Sequence, residues 1–399
     1  DEESGELVLH NYMDFDNLKD YTEIAYEMTQ DGLTIEKRKL PDVSAAPHSD
    51  GKLKLKLQIP ASGRIYLKLT YRLKKTIPLL ECGQILGFDE IRLTNEDGRN
   101  RHVVKLLEME PAPADIKSTE TDTQLELQAK DFSYKLDKRT GLFTQIQFAG
   151  RDYLNHPMEL NIWRAPTDND MYIKEEWKKA HYDKAYTKAY HMEILQDKHG
   201  VRLVEHLAVV APSVQKILDV VITCKINGSG RISSTISVTK DEEFPALPRF
   251  GIRLFLDKKL ENISYYGMGP RESYRDKHQG SSHGWYRSKV SHMHEDYIRP
   301  QENGSHFDCD YVEASDTQYG ITAVCEQPFS FNASIYTQEE LERAAHSYEL
   351  MEADSTVLCI DYALNGIGSN SCGPEVLEQY RFDDTAFRFQ FELIPFVKL

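Results

Sequence analysis

Apolar side chains recur at every second position through much of this chain, in short runs cut off by turn-forming residues. Leu53, Leu55, Leu57 and Ile59 put four apolar groups on one face, while Lys52, Lys54 and Lys56 fall on the other. Ile65, Leu67, Leu69 and Tyr71 repeat the pattern. Ile24, Tyr26 and Met28 alternate up to Asp31-Gly32, a dipeptide suited to a tight hairpin, and Leu33 and Ile35 resume beyond it. A period of two commits such segments to strands with one buried face, so the chain must bury them by packing sheet on sheet.

At 399 residues the chain exceeds one ordinary core and most naturally forms two domains. Short strands separated by Gly, Pro, Asn and Asp turns, with no competing helical pattern, predict an immunoglobulin-like β-sandwich over residues 1–107. Residues 108–123 carry Pro111, Ala112 and Pro113 and a Ser/Thr-rich stretch, the composition of a linker. Beyond it, Phe132, Tyr134 and Leu136 lead into the turn Asp137 to Gly141, and Phe143, Ile146 and Phe148 follow. Further strand patterns at Ile217 to Ile222, Ile232 to Val238, Ile252 to Leu256, Ile321 to Val324, Thr356 to Ile360 and Phe387 to Ile394 predict a large antiparallel β-sandwich over residues 124–399. The fold class is therefore all-β. Helix is expected at only two places, Glu175 to Tyr190 and Thr337 to Ala345; in the second, Thr337 and Glu340 have capping-box spacing.

Acidic residues outnumber basic ones 64 to 48, a formal net charge of −16 that argues against nucleic-acid binding, which needs clustered Lys and Arg. No run has the length to cross a bilayer, so no membrane partner is expected. The six cysteines include no Cys-x-x-Cys pair, which suggests neither a zinc site nor a small disulfide framework and fits a reducing, cytoplasmic compartment. Asp1 replaces an initiator Met and no apolar leader follows, so the chain reads as an excised or processed piece without a signal peptide.

The most function-laden stretch runs from Asn161 to Asp170, reading Asn-Ile-Trp-Arg-Ala-Pro-Thr-Asp-Asn-Asp. Apolar β-formers give way to Pro166 and to short polar side chains that hydrogen-bond nearby backbone, so a strand breaks into a loop. Such loops carry function more often than stability, although Asp168, Asn169 and Asp170 equally suit a purely structural Asx-type turn. Asp168 and Asp170 are hard oxygen donors at i, i+2 spacing, which many loops show and which does not define a metal site.

Four further segments accompany that run in order. They are Tyr266 to Tyr274 (Gly-x-Gly-Pro-x-Glu-x-Tyr from Gly267), Pro300 to Gly304 (Pro-x-Glu-Asn-Gly), Phe329 to Leu341, and Gly366 to Pro374. Together with Arg164 to Asp170, these five elements resemble the C-terminal half of the glycoside hydrolase family 2 β-galactosidases, and residues 7–106 resemble the sandwich that precedes it. The resemblance implies an immunoglobulin-like fourth domain followed by a galactose mutarotase-like β-supersandwich. It further implies a retaining β-galactosidase acting on β-galactosides such as lactose, in which this portion forms an active-site wall and interfaces in an oligomer with the upstream domains or a large subunit. The loop from Asp168 to Ile173 would be mobile and lie at the active-site mouth. On that basis Thr167, Asp168, Asn169, Asp170, Asn370, Ser371 and Cys372 are the expected substrate contacts. Cys372 stands where the family often carries a Trp platform, and a thiol has no flat π-face to stack on a sugar.

Retaining glycosidases need two carboxyl groups across the scissile bond, and in the family both lie on a (β/α)₈ barrel. No alternation of parallel strands with amphipathic helices occurs here, so no catalytic residue is assigned to this chain, Glu272 and Glu302 included. Magnesium and sodium in the family are bound mainly by barrel and upstream residues, and no metal or cofactor is expected in this portion. Two other functions fit the same strands. One is a stand-alone carbohydrate-binding or scaffolding module. The other is an aldose 1-epimerase, for which His278, His283, His292, His294 and His306 with Glu302 would supply acid and base.

Overall fold

The computed structural model describes residues 4–109 and 115–398. The chain divides into two compact units, Asp1–Leu106 and Leu107–Leu399.

In the first unit β1 (Glu6–Asn11), β2 (Thr22–Gln30), β3 (Leu33–Lys39), β4 (Ser49–Lys54), β5 (Ile65–Leu73) and β6 (Ile85–Leu93) form two sheets, β1-β4 and β3-β2-β5-β6. Their apolar faces share one core containing Leu9, Ile24, Tyr26, Met28, Ile65, Leu67 and Leu69. Asp31 and Gly32 both have positive φ, 49° and 78°, as a two-residue hairpin turn demands. The apolar run of Leu53 to Ile59 is only partly strand. Among the described residues the β1-β4 ladder stops at the Glu6–Lys54 pair, beyond which Leu55 donates to the Gly5 carbonyl, and Leu57 and Ile59 pack on the core from outside any strand. Two short helices went unforeseen, α1 (Leu18–Tyr21) and α2 (Arg101–Leu107); each buries a single residue, Leu18 and Val103, and so leaves no periodic pattern.

The linker expected at 108–123 needs correction. Residues 110–114 lie outside the described residues, but β7 (Lys117–Glu120) is the edge strand of a five-stranded sheet. Its four residues are all exposed and polar, so it shows no alternation; what holds it is the ladder to β8 (Gln124–Gln128). The sheet continues through β9 (Phe132–Asp137), β10 (Leu142–Phe148) and β11 (Arg151–Asp152). Its inner face packs against a twelve-stranded antiparallel sheet. That sheet comprises β12 (Leu154–Asn161), β13 (Tyr186–Asp197), β14 (Gly200–Val210), β15 (Leu218–Asn227), β16 (Ile232–Lys240), β17 (Arg249–Asp257), β18 (Asn262–Gly269), β19 (Ser282–Lys289), β20 (Ser305–Ser315), β21 (Tyr319–Ser334), β22 (Ser355–Leu364) and β23 (Ala386–Val397). Its main path runs β12-β17-β22-β21-β23-β16-β15-β14-β13, with β20, β18 and β19 branching from β21. At Gly141, in the β9-β10 turn, φ is +70° and an added Cβ would lie 2.5 Å from Leu207 of β14, so both the turn and the layer contact require glycine.

The helix expected over Glu175 to Tyr190 is shorter. α3 (Ile173–Lys179) ends before His181, whose left-handed backbone at φ 58° starts a single 3-10 turn, and from Tyr186 the chain is committed to pairing with β14. α4 (Gln338–Arg343) begins at Thr337, whose hydroxyl accepts the Glu340 N–H at 3.1 Å, as the capping-box spacing predicts.

One residue breaks the apolar face of β14. Glu205 lies between Leu203 and Leu207, fully buried, and its Oε1 has no hydrogen-bond partner among the described residues. Burial pushes this carboxyl up to about 8 from an ordinary 4.5. The folded chain therefore holds a proton that the unfolded chain has released, and the stability tied to Glu205, whole below pH 4.5, is lost as pH rises toward about 8. Replacing Glu205 by Gln is expected to remove a slope of about 1.4 kcal/mol per pH unit across that window. Urea unfolding at several pH values checks this, and identical slopes in parent and variant would contradict it.

Candidate functional site

β12 ends at Asn161, whose Oδ1 accepts the Trp163 N–H at 3.1 Å and turns the chain out of the sheet. Arg164 then runs into the interior with no exposed surface. Its guanidinium makes a two-pronged contact with Asp170, Nη2 to Oδ1 at 2.6 Å and Nε to Oδ2 at 3.2 Å, and donates to the Asn365 and Gly366 carbonyls. The same Asp170 carboxylate accepts the Thr167 N–H at 2.9 Å and its hydroxyl at 3.1 Å, capping a 3-10 turn over Asp168–Asp170. Asp170 is thus the buried anchor of the loop, with both oxygens engaged inside the protein.

Asn169 faces the other way. Its Nδ2 donates to the Gly368 carbonyl at 2.6 Å and its Oδ1 accepts the Ser371 hydroxyl at 2.8 Å. Two segments some two hundred positions apart are thereby joined side by side. Asp276 adds a third segment, accepting the Ile367 and Gly368 N–H groups at 3.0 and 2.7 Å. A fourth enters through Gln301, whose Oε1 accepts the Asp168 N–H at 2.8 Å, and through the Glu302 N–H, which donates to the Ala165 carbonyl at 3.0 Å.

These four segments enclose an open cavity of about 720 Å³. Thr167, Asp168, Asn169 and Ser371 line it, whereas Asp170, Asn370 and Cys372 do not. Cys372 carries an exposed free thiol, its N–H closing a turn to the Ser369 carbonyl at 3.3 Å. Tyr274, Asp276, Lys277, Tyr297 and Gln301 also line the cavity and were not nominated from sequence, as does Glu302, named there only for the epimerase alternative. Their signal was present, since the Gly-x-Gly-Pro-x-Glu-x-Tyr and Pro-x-Glu-Asn-Gly elements end on or flank most of them.

The electrostatics divide these groups. Burial alone would raise the Glu272 carboxyl, but Lys277, the Tyr297 hydroxyl and the Gly304 N–H at 2.9 Å together hold it below its ordinary value. Glu302 moves the opposite way. Burial raises its carboxyl; the nearby guanidiniums of Arg249 and Arg164 oppose that, and the Asp361 and Glu272 charges add to it. Beneath the cavity Arg249 makes a two-pronged contact with Asp361, Nη2 to Oδ2 at 2.6 Å and Nε to Oδ1 at 3.1 Å, and reaches Glu302 at 3.3 Å. Burial is the largest cause of the upward Glu302 shift, and the Arg249 and Arg164 guanidiniums only offset it in part.

Three of the histidines grouped in sequence have partners of their own. His306 is sandwiched between Tyr265 and Phe331 and burial drives it down to about 4, so it is a neutral ring whose Nδ1 lies 3.1 Å from the Met268 carbonyl. His283 lies 2.8 Å from Asp308, and His278 stacks on Phe307.

The class the fold defines is an all-β chain of two units, the second with a loop-built cavity beside a large antiparallel sheet. The beta galactosidase small chain family matches residues 128–393, and beta-galactosidase domain 4 matches residues 7–94. The chain belongs to the β-galactosidase family and comprises a C-terminal part of such an enzyme. It is 41% identical over 390 residues to a β-galactosidase of Actinobacillus pleuropneumoniae and 31% identical over 395 residues to one of Staphylococcus xylosus. Each match covers 98% of this chain but only 38% and 39% of those relatives. Among solved structures, a galactose 1-epimerase from Lactobacillus acidophilus NCFM aligns over 72% of this chain and all of its own, with a TM-score of 0.40 and 7% identity.

Proposed function

We propose that this chain supplies one wall of the active site of a retaining β-galactosidase that releases terminal β-D-galactose from β-galactosides such as lactose. The two catalytic carboxylates belong to a barrel outside these residues. What supports the reading is the 2.8 Å hydrogen bond from Ser371 to Asn169, which brings two sequence-nominated segments to the rim of one cavity within a chain of this family. Thr167, Asp168, Asn169 and Ser371 then meet the sugar or its leaving group. Asp170 acts on them through the Arg164 pair as a positioning residue, and Cys372 stands outside the lining, whose aromatic surface comes from Tyr274, Tyr297 and Tyr380. Binding here is shaped by hydroxyl-compatible polar groups and by the Tyr297 edge, which suits a neutral sugar. The enzyme works as an oligomer in the cytoplasm, and any magnesium or sodium it uses is held by the upstream domains.

In a complete β-galactosidase carrying this chain, Asn169→Ala removes the two side-chain bonds from Asn169 to Gly368 and Ser371. The expected result is a KM for lactose raised roughly tenfold with a smaller change in kcat, the size of one to two lost hydrogen bonds. Steady-state kinetics with lactose check it. An unchanged KM would remove Asn169 from the substrate wall.

A further inference from the structure

A second cavity, of about 450 Å³, follows from the way β21 is paired. Tyr319 to Val324 pair with β23 and Ser330 to Ser334 with β22, so between Cys325 and Phe329 the strand passes from one neighbour to the other. The sheet opens there, and Pro328 occupies the gap, where a missing N–H costs no ladder bond. On β23, Phe387, Phe389 and Phe391 face the core while Arg388 and Gln390 face out, and both of the latter line the cavity.

The opposite wall is built rather than loose. The Tyr362 ring stacks on Phe387 at 4.7 Å and 10°, which fixes its orientation. Arg275 Nη1 donates to the Arg381 carbonyl at 3.0 Å, leaving the rest of its fork toward the cavity it lines. Burial raises the Tyr362 hydroxyl, Asp384 raises it further and Arg275 opposes them, so these three groups share one electrostatic neighbourhood. Phe307, half-buried, supplies a second aromatic surface.

The ligand class follows from the charges. Two guanidiniums, Arg275 and Arg388, are matched in the lining by the Glu326 and Asp384 carboxylates, and Asp308 is held 2.8 Å from His283, so the lining favours neither an anion nor a strongly cationic ligand. A polyhydroxylated ring suits it: adjacent hydroxyls accept from guanidinium forks and donate to carboxylates, while apolar C–H faces rest on Tyr362 and Phe307. The volume lies within the roughly 300–1,000 Å³ of small-molecule sites. The segment Tyr274 to Lys277 separates this cavity from the first: Tyr274 and Arg275 line the second, and Tyr274, Asp276 and Lys277 the first.

We propose that this cavity is a second saccharide site, taking neutral pyranosides and standing back to back with the substrate wall. It needs no barrel, so its fate is independent of the function proposed above.

Calorimetric titration of the full 399-residue chain with lactose tests it. Saturable binding is expected, weakened at least roughly fivefold by Arg388→Met and by Gln390→Ala, whose exposed side chains can change without disturbing the core, and unaltered by Asn169→Ala. Absence of saturable binding in the millimolar range overturns the proposal. So does binding that Asn169→Ala weakens and Arg388→Met does not, which places the sugar in the first cavity. Galacturonate bound more tightly than galactose overturns the neutral class.

Discussion

Replacing Arg249 by Met is expected to unfold the larger unit at ambient temperature or leave it with little stability. The guanidinium has no exposed surface and is the shared partner of Asp361 and Glu302, which are themselves buried. Removing it strands two carboxylates away from water, and breaking a buried pair in this way costs about 3–5 kcal/mol, a large share of a typical domain's margin. Methionine fills much of the volume, so the loss reports charge and not a cavity. A compensated variant separates the two: Arg249→Met with Asp361→Leu and Glu302→Gln removes the stranded charges and is expected to recover most of the lost stability. Thermal unfolding followed by circular dichroism measures both. If the single variant melts within a few degrees of the parent, the network is not what holds β17, β22 and the cavity floor together.

Much of the fold was legible because alternation is a local signal. Asp31-Gly32 closes its hairpin with the two positive φ values its residue types permit, and Thr337 caps α4 as its spacing predicts. The failures have physical causes. β7 is polar and exposed throughout, so only its neighbour β8 reveals it. His181 ends α3 through a left-handed backbone that no helical pattern announces. Glu205 lies on an apolar face where counting hydrophobic residues passes over it.

The candidate site was half legible for a related reason. Its loop character followed from short polar side chains, and motif resemblance nominated residues 167–170 and 370–372 as substrate contacts; the hydrogen bonds of Asn169 to Gly368 and Ser371 that join them were not foreseen. The role of Asp170 did not, because its partner Arg164 is an arginine buried six residues earlier, and the sequence pattern assigns charged residues to the surface. Lys277, Gln301 and Glu302 reach the cavity only through the path of the large sheet, which brings β12, the segment after β18 and the approach to β20 to one end.

The chain spans 38% and 39% of the two relatives, and its described residues show no barrel's alternation of strand and helix. On the function proposed above, hydrolysis with retention needs a nucleophile and an acid/base carboxyl about 5–5.5 Å apart that the barrel would supply, and a wall alone would lower no chemical barrier. The expected difference is therefore all or none. Purified chain given a chromogenic β-galactoside should show no turnover above the uncatalysed rate, and adding a polypeptide with the upstream domains should bring turnover up and release galactose first as the β-anomer by NMR. Turnover by the pure chain, or a mixture that stays inactive although the two polypeptides associate, would contradict the division of labour between wall and barrel.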